Sequence, residues 1–161
     1  MNFFKTRKGF GLIEVLIGVT IISISVISLT AAFHRAVRLH ALSVRSVQAA
    51  FLIEEGVEVV KSIRAESWED RIAPLLASTT YYITFNGSLW QATTTQSVID
   101  GIFYRTITFH DVYRNATTED IAVSGTLDEG TKKLVVTVSW LEGSATSTRS
   151  LSTYISNILL N

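Results

Sequence analysis

The sequence predicts an α+β protein in which one long N-terminal helix precedes a C-terminal antiparallel sheet. Three observations predict this class. The run from Phe10 to Phe33 is apolar, the stretch from 34 to 73 is free of proline and rich in helix-forming residues, and apolar and polar residues alternate from residue 78 onward. A helix followed by a run of strands is typical of α+β folds.

The N-terminal segment has the pattern of a membrane helix. Residues 1–9 carry the basic side chains of Lys5, Arg7 and Lys8, and the only charged side chain between Phe10 and Phe33 is Glu14. A spanning helix needs about 20 apolar residues, whereas the apolar region of a secretory signal peptide has only about 7–15. We therefore expect a membrane-spanning helix. A carboxylate inside such a helix is costly and indicates a function.

The residues around this junction carry a family resemblance. The sequence KGFGLIE at residues 8–14 resembles the class III signal of type IV pilins and type II secretion pseudopilins. The resemblance implies that a prepilin peptidase, which is also the N-methyltransferase, cuts between Gly9 and Phe10 and methylates Phe10. It also implies an assembly role for Glu14, which is the fifth residue after the cut. Gly11 stands where the family often has Ser or Thr, a departure that affects neither the junction nor Glu14.

The chemistry of Glu14 agrees with the role that the resemblance implies. Glu14 lies one helical turn after Phe10, and residues four apart share a helix face. Cleavage would leave a positive amine on Phe10. Within lipid, the Glu14 of one subunit would neutralise the amine of a neighbour, since an unpaired charge costs about 2.5–3.5 kcal/mol on the insertion scale. The alternative interpretation is that the Glu14 side chain extends to the lipid headgroups.

The stretch from 34 to 73 predicts that the helix continues beyond the membrane to about residue 70, with Pro74 as its stop. Such a helix would be roughly 90 Å long at 1.5 Å per residue. At about 100° per residue it presents two nearly opposite apolar stripes. The first stripe comprises Val37, Ala41, Val44, Val47 and Phe51, and the second comprises Ala50, Ile53, Val57 and Val60. We hypothesise that the first stripe contacts neighbouring subunits and that the second carries the sheet. The alternative is one irregular amphipathic helix on a single core.

The C-terminal half predicts four or five antiparallel strands lying on the helix. The predicted strands are 81–85, 88–94, 102–113, 134–141 and 146–155. Asn86-Gly87 between the first two predicts a type I′ hairpin turn. Asp128-Glu129-Gly130 is predicted to be a surface loop.

The last predicted hairpin adds a second resemblance. KKLVVTVSW at 132–140 and RSLSTYISN at 149–157 resemble the final hairpin of minor pilins and pseudopilins of the PilV or GspI sort. Together the resemblances imply a pilin fold. In that fold residues 1–9 are the leader peptide, 10–33 the transmembrane half of the helix, 34–73 its exposed half, and 74–161 the β head.

The remaining features argue against catalysis. The chain has 161 residues, no Cys, and 14 Lys+Arg against 14 Asp+Glu. It therefore lacks thiol chemistry and the basic character of a general nucleic-acid binder. No HExxH, GxSxG or P-loop motif is present, and His34, His40 and His110 lack the spacing of metal ligands. We expect no enzyme, no cofactor and no metal site.

The resemblance implies a filament subunit. The last hairpin, together with the absence of the Cys pair that many major pilins have near the C-terminus, favours a minor subunit. Its implied partners are the prepilin peptidase, other pilin or pseudopilin subunits, the inner-membrane assembly platform and membrane lipid. It implies a single-pass inner-membrane protein with its head outside the cytoplasm, which then enters a pilus or pseudopilus. The alternative functions are a binding module on an uncleaved membrane anchor and, less favoured, an anchored enzyme.

Overall fold

A computed structural model describes residues 11–157. Its two helices are α1 (Leu12–Glu66) and α2 (Trp68–Arg71). Its seven strands are β1 (Thr80–Phe85), β2 (Trp90–Thr93), β3 (Val98–Ile99), β4 (Phe103–Arg114), β5 (Ile121–Ala122), β6 (Thr126–Glu142) and β7 (Ala145–Ser156). The chain divides into two compact units, one ending at Ser43 and the other beginning at Val44. The second unit contains the C-terminal part of α1 and the whole sheet.

The long helix ends a few residues before the predicted stop. Ser67 has an extended backbone, with φ −166° and ψ 119°, so α1 ends at Glu66. The Ser67 hydroxyl accepts a hydrogen bond from the Asp70 backbone N–H at 3.1 Å. Serine is a favoured N-cap because its oxygen satisfies an N–H that lacks a helical partner. Ser67 therefore ends one helix and begins α2, well before Pro74.

The sheet is antiparallel, with the strand order β2-β1-β4-β6-β7. The two-residue strands β3 and β5 pair with β4 at different positions along it. The five strands along the main path agree with the four or five that the alternating pattern predicts. The sheet therefore has two edges, β2 on one side and β7 on the other.

The core lies between α1 and one face of this sheet. The helix contributes Ala49, Ile53, Val59, Val60 and Ile63, and the sheet contributes Phe103, Ile107, Phe109, Leu134, Val136, Val138 and Trp140. Within each strand these residues are two or four apart, because alternate side chains point to the same face of a sheet. This packing of a long N-terminal helix on an antiparallel sheet confirms the α+β, pilin-like fold.

The first hairpin is present, but its predicted two-residue turn is wrong. Phe85 pairs with Trp90, so residues 86–89 form a four-residue loop. The Asn86 side chain stabilises this loop, because its Oδ1 atom accepts hydrogen bonds from the backbone N–H groups of Ser88 at 3.0 Å and Leu89 at 2.9 Å. A side chain that caps a loop in this way competes with the tighter turn.

The predicted surface loop at Asp128–Gly130 is also wrong, because these residues belong to β6. Strand β4 extends to Arg114, and its end pairs with the start of β6 beyond a shift in register. Arg114 and Asp128 form an ion pair there, with Nε and Oδ2 2.6 Å apart. The carboxylate of Asp128, which suggested a loop, therefore forms an ion pair between two neighbouring strands.

Candidate functional site

Most of the predicted processing site lies outside the described residues. Lys5, Arg7, Lys8, Gly9 and Phe10 all precede residue 11, where the described part of the chain begins. Their roles stay predictions from the sequence. The structure does describe Glu14 and the apolar helix that follows it.

Glu14 lies in the first turn of α1. Its backbone N–H donates to the Gly11 carbonyl at 3.0 Å, and its carboxylate Oε2 atom lies 3.4 Å from the Gly11 backbone nitrogen. The first N–H groups of a helix have no helical partner, and a Glu at this position can accept from them. The carboxylate is thus directed towards the N-terminal end of the helix.

The N-terminal part of α1 is suited to lipid. It contains a window of mean hydropathy 2.4 of which none is buried, so the helix is long and apolar enough to cross a membrane. Its hydroxyl groups donate to backbone carbonyls one turn earlier. The residues concerned are Thr20, Ser23, Ser25, Ser28 and Thr30. Because these groups are satisfied within the helix, they add little cost in lipid, where an unpaired polar group is expensive.

The part of α1 beyond Ser43 has two different faces. Ile53 and Val60, from the second predicted stripe, are buried, and Val57 packs against the core. Val44, Val47 and Phe51, from the first stripe, are exposed. The structure therefore agrees with the hypothesis that the second stripe carries the sheet. The first stripe is an apolar surface that the described chain leaves uncovered.

A buried arginine that sequence reasoning missed connects the helix to the sheet. Arg105 lies in β4 and donates from Nη1 to the Leu52 carbonyl at 3.0 Å and to the Glu55 carboxylate at 2.9 Å. Gly56 is buried beside it, and an added Cβ there would lie 3.1 Å from Arg105 Cδ. The sequence did contain a signal for this role. Arg105 is an alternate residue between Phe103 and Ile107, so it shares the sheet face of these two apolar residues.

The end of β4 carries the clearest electrostatic perturbation. Burial by itself would raise the pKa of the Asp128 carboxyl, but hydrogen bonds and the positive charge of Arg114 outweigh burial and hold that pKa below its usual value. The Asp128 Oδ1 atom also accepts from the Gly130 N–H at 3.1 Å. Asp128 thus stabilises the pairing between the end of β4 and the start of β6. Arg114 also donates to the Glu119 carbonyl at 2.9 Å.

Among residues 11–157, no three His, Cys, Asp or Glu side chains are grouped so that they could hold a metal ion. The histidines have separate surroundings. His34 makes an edge contact with the Phe33 ring, and His110 Nδ1 lies 3.5 Å from the Ser78 hydroxyl.

Comparison with known families gives one match. Residues 4–30 match the prokaryotic N-terminal methylation motif. This is the class III motif of type IV pilins and pseudopilins, whose members are generally structural subunits rather than enzymes. The match includes the Gly9-Phe10 junction, Glu14 and most of the apolar run. The motif implies processing by a prepilin peptidase and anchoring in the inner membrane before assembly. No curated protein and no solved structure matches the chain significantly.

Proposed function

We propose that this chain is a structural subunit of a type IV pilus or a related pseudopilus, and that it is a minor subunit of the PilV or GspI sort. The observation that carries the proposal is the N-terminal methylation motif at residues 4–30. The pilin-like packing of α1 on an antiparallel sheet supports it, and the likeness of the last hairpin to minor subunits is the reason for the finer assignment.

In this proposal residues 1–9 are a leader that remains in the cytoplasm through Lys5, Arg7 and Lys8. The prepilin peptidase cuts between Gly9 and Phe10 and methylates the new amine of Phe10. Residues 10–33 then hold the subunit in the inner membrane, with residues 34–73 as the exposed half of the helix and residues 74–161 as a head outside the cytoplasm.

Glu14 sets the register of assembly in this proposal. It is the only charge in an otherwise apolar helical segment, and its carboxylate is directed towards the helix N-terminus. A neighbouring subunit's Phe10 amine would neutralise it. An unpaired ionised carboxylate costs about 2.5–3.5 kcal/mol at the centre of a membrane helix and less near its end, where Glu14 lies. The paired register is therefore favoured over those that leave Glu14 unpaired, by less than the cost at the centre.

The exposed apolar stripe supplies the second contact. Val44, Val47 and Phe51 are exposed on the face of α1 opposite to the buried residues. In a filament with the helices inside, this stripe would pack against the helices of adjacent subunits. The partners are therefore other pilin or pseudopilin subunits, brought together by the inner-membrane assembly platform.

The proposal is tested by determining the N-terminus of the full chain in membranes from cells with and without a prepilin peptidase. We expect a product beginning at methylated Phe10 only where the enzyme is present. Gly9→Val should leave the chain uncut, because it removes the glycine after which the enzyme cleaves. Gly18→Ala is the matched control and should be processed normally, since an added Cβ there meets no atom within 4 Å. An intact Met1 product, with a control pilin cut in the same cells, would contradict the proposal.

Glu14→Ala then distinguishes a filament subunit from a binding module on an uncleaved anchor. A filament subunit should still be inserted but should lose assembly into sheared filaments or co-purification with other subunits. A simple anchor should be inserted as well as the parent or better, because the substitution removes a charge from lipid. Unchanged assembly of Glu14→Ala would show that the carboxylate does not set the register.

A further inference from the structure

Two arginines directly follow the apolar segment of α1. Arg35 and Arg38 come shortly after Phe33, and both are exposed. Among residues 11–157, no side chain forms an ion pair with either guanidinium. The neighbouring sequence supplies no counter-charge, because no Asp or Glu occurs between Glu14 and Glu54. The described chain therefore leaves two positive charges unneutralised at the end of the apolar segment.

When this segment spans a bilayer, its length places the two arginines at the bilayer surface. From Leu12 to Phe33, α1 is about 33 Å long at 1.5 Å per residue, and the hydrocarbon core of a bilayer is about 30 Å thick. Each headgroup layer adds about 5–8 Å. Arg35 and Arg38 follow Phe33 by about 3 Å and 8 Å along the helix, so both lie at the depth of the lipid headgroups.

The two guanidinium groups lie close enough to act together. Residues three apart in an α-helix are neighbours, with Cβ atoms about 5–6 Å apart. Arginine presents a planar fork of N–H donors that matches the oxygens of a phosphate group, and its charge persists at all ordinary pH values. Arg35 and Arg38 can therefore bind one phosphate together or two adjacent phosphates.

The positions of these charges also oppose the usual distribution of basic residues. Lys and Arg near the ends of membrane helices are concentrated on the cytoplasmic side, whereas the proposed orientation puts Arg35 and Arg38 on the other side. They weaken the orientation that Lys5, Arg7 and Lys8 favour. A contact with anionic headgroups offsets this cost, since each basic residue near an anionic lipid surface strengthens binding about fivefold.

We propose that Arg35 and Arg38 bind the phosphate groups of anionic phospholipids in the leaflet that faces away from the cytoplasm. The acyl chains of the bound lipid lie along the preceding turn, where Ala31 shares the helix face of Arg35. The contact holds the outer end of the subunit at the membrane surface before assembly. This inference rests on the proposed function, because it requires the apolar segment to span the membrane.

Short-range fluorescence quenching measures which lipid occupies this site. The chain contains no cysteine, so a fluorophore on full-length Ala31→Cys reports on this position alone. The chain is reconstituted in phosphatidylcholine vesicles that contain increasing amounts of either phosphatidylglycerol or phosphatidylcholine with a nitroxide at the top of an acyl chain. We expect phosphatidylglycerol to reach half-maximal quenching at a mole fraction at least about fivefold lower.

A second label position tests whether the preference belongs to this face of the helix. Leu29 lies two residues before Ala31 and therefore about 200° around the helix from it. A fluorophore on Leu29→Cys should be quenched almost equally by the two lipids, because it faces away from the arginines at a similar depth.

Two charge variants identify the groups that cause the preference. Arg35→Gln combined with Arg38→Gln in the Ala31→Cys chain should remove the preference but keep quenching by phosphatidylcholine, because insertion depends on the apolar segment. Arg45→Gln is the matched control and should keep the preference. It removes the same charge, but the Arg45 Nη1 atom already lies 3.4 Å from the Leu141 carbonyl oxygen. Millimolar inorganic phosphate should not compete, because a free ion lacks the acyl chains that keep a headgroup at the site.

Three results would overturn the inference while leaving the proposed function intact. They are equal quenching of Ala31→Cys by both lipids, a preference that survives in the double arginine variant, and a preference that is lost equally in Arg45→Gln or on adding inorganic phosphate. Quenching by neither lipid would place the segment outside the bilayer. That result would contradict the membrane anchoring together with the lipid site.

Discussion

Gly56 lies where α1 packs closely against the sheet. A Cβ added there would lie 2.9 Å from Val136 Cγ1 and 3.1 Å from Arg105 Cδ. Both neighbours are held in place, Val136 by the core and Arg105 by its hydrogen bonds to Leu52 and Glu55. The absence of a side chain at Gly56 therefore allows the Arg105 pair and the close helix packing to exist together.

We predict that Gly56→Ala lowers the free energy of unfolding by about 1–2 kcal/mol. The clash in a packed core typically costs about 1–3 kcal/mol, and the better helix propensity of alanine returns up to about 1 kcal/mol. Ser62→Ala, at an exposed position of the same helix, is the control and should not destabilise. Thermal unfolding of the detergent-solubilised chain measures both. A Gly56→Ala chain that is more stable than the parent would show that the sheet can move away.

The ion pair between Arg114 and Asp128 makes the stability of the sheet depend on pH. The pKa of Asp128 is lowered in the folded chain, so its contribution to stability is present above the pKa of the unfolded chain and is lost as the pH falls through the folded value. We predict that Asp128→Asn destabilises the head by about 1 kcal/mol at pH 7, since Arg114 is partly exposed and such pairs are modest.

The difference between Asp128→Asn and the parent should shrink as the pH falls below about 3.9, the usual value for an aspartate, and should be smallest near the acid limit. Denaturant titrations across this range measure it. Glu129→Gln is the control, because the neighbouring carboxylate has no ion pair within the described residues. A difference that stays constant with pH would mean that the charge of Asp128 does not stabilise the fold.

At the scale of elements, the C-terminal part of α1 has one buried face and one exposed apolar face. The face that contains Ile53 and Val60 holds the sheet, and the opposite face exposes Val44, Val47 and Phe51. Beyond Phe51 the exposed face becomes acidic, with Glu54, Glu55 and Glu58. The apolar surface of this face therefore ends at Phe51.

We predict that Val44→Glu prevents assembly and leaves the head folded. A carboxylate at this exposed position costs the isolated chain little, but burying it against a neighbouring helix without a partner is expensive. Filament shearing or co-purification measures assembly, and protease resistance of the head measures folding. Ser43→Glu, at the adjacent exposed position outside the stripe, should be neutral. Normal assembly of Val44→Glu would exclude the stripe as a subunit contact.

The strands show where sequence patterning succeeds and where it fails. β4 and the buried part of β6 follow the predicted alternation because each has one face on the core. β7 is mostly exposed, with Ile155 as its buried residue. The loop at 86–89 and the strand character of Asp128 were missed because each depends on a side chain with a particular partner. Asn86 binds its own loop, and Asp128 binds Arg114 across the sheet.

At the scale of the whole molecule, the two units differ in how they treat their apolar residues. The unit that ends at Ser43 contains the apolar stretch that satisfies its own hydroxyl groups, and the unit that begins at Val44 has a conventional core. The motif at residues 4–30 lies wholly in the first. The processing and membrane anchoring that the motif implies therefore concern the first unit.

The sequence alone predicted the α+β class, a helix long and apolar enough to cross a membrane, and the candidate processing site. These depend on local features, namely an apolar run, a basic leader with a Gly-Phe junction, and the period of apolar residues. Only the tertiary structure decided which stripe of α1 is buried, that Arg105 enters the core beside Gly56, and that β7 is an edge strand of the sheet formed by residues 11–157. Those properties arise from contacts between residues far apart in the chain, and local periodicity contains no information about such partners.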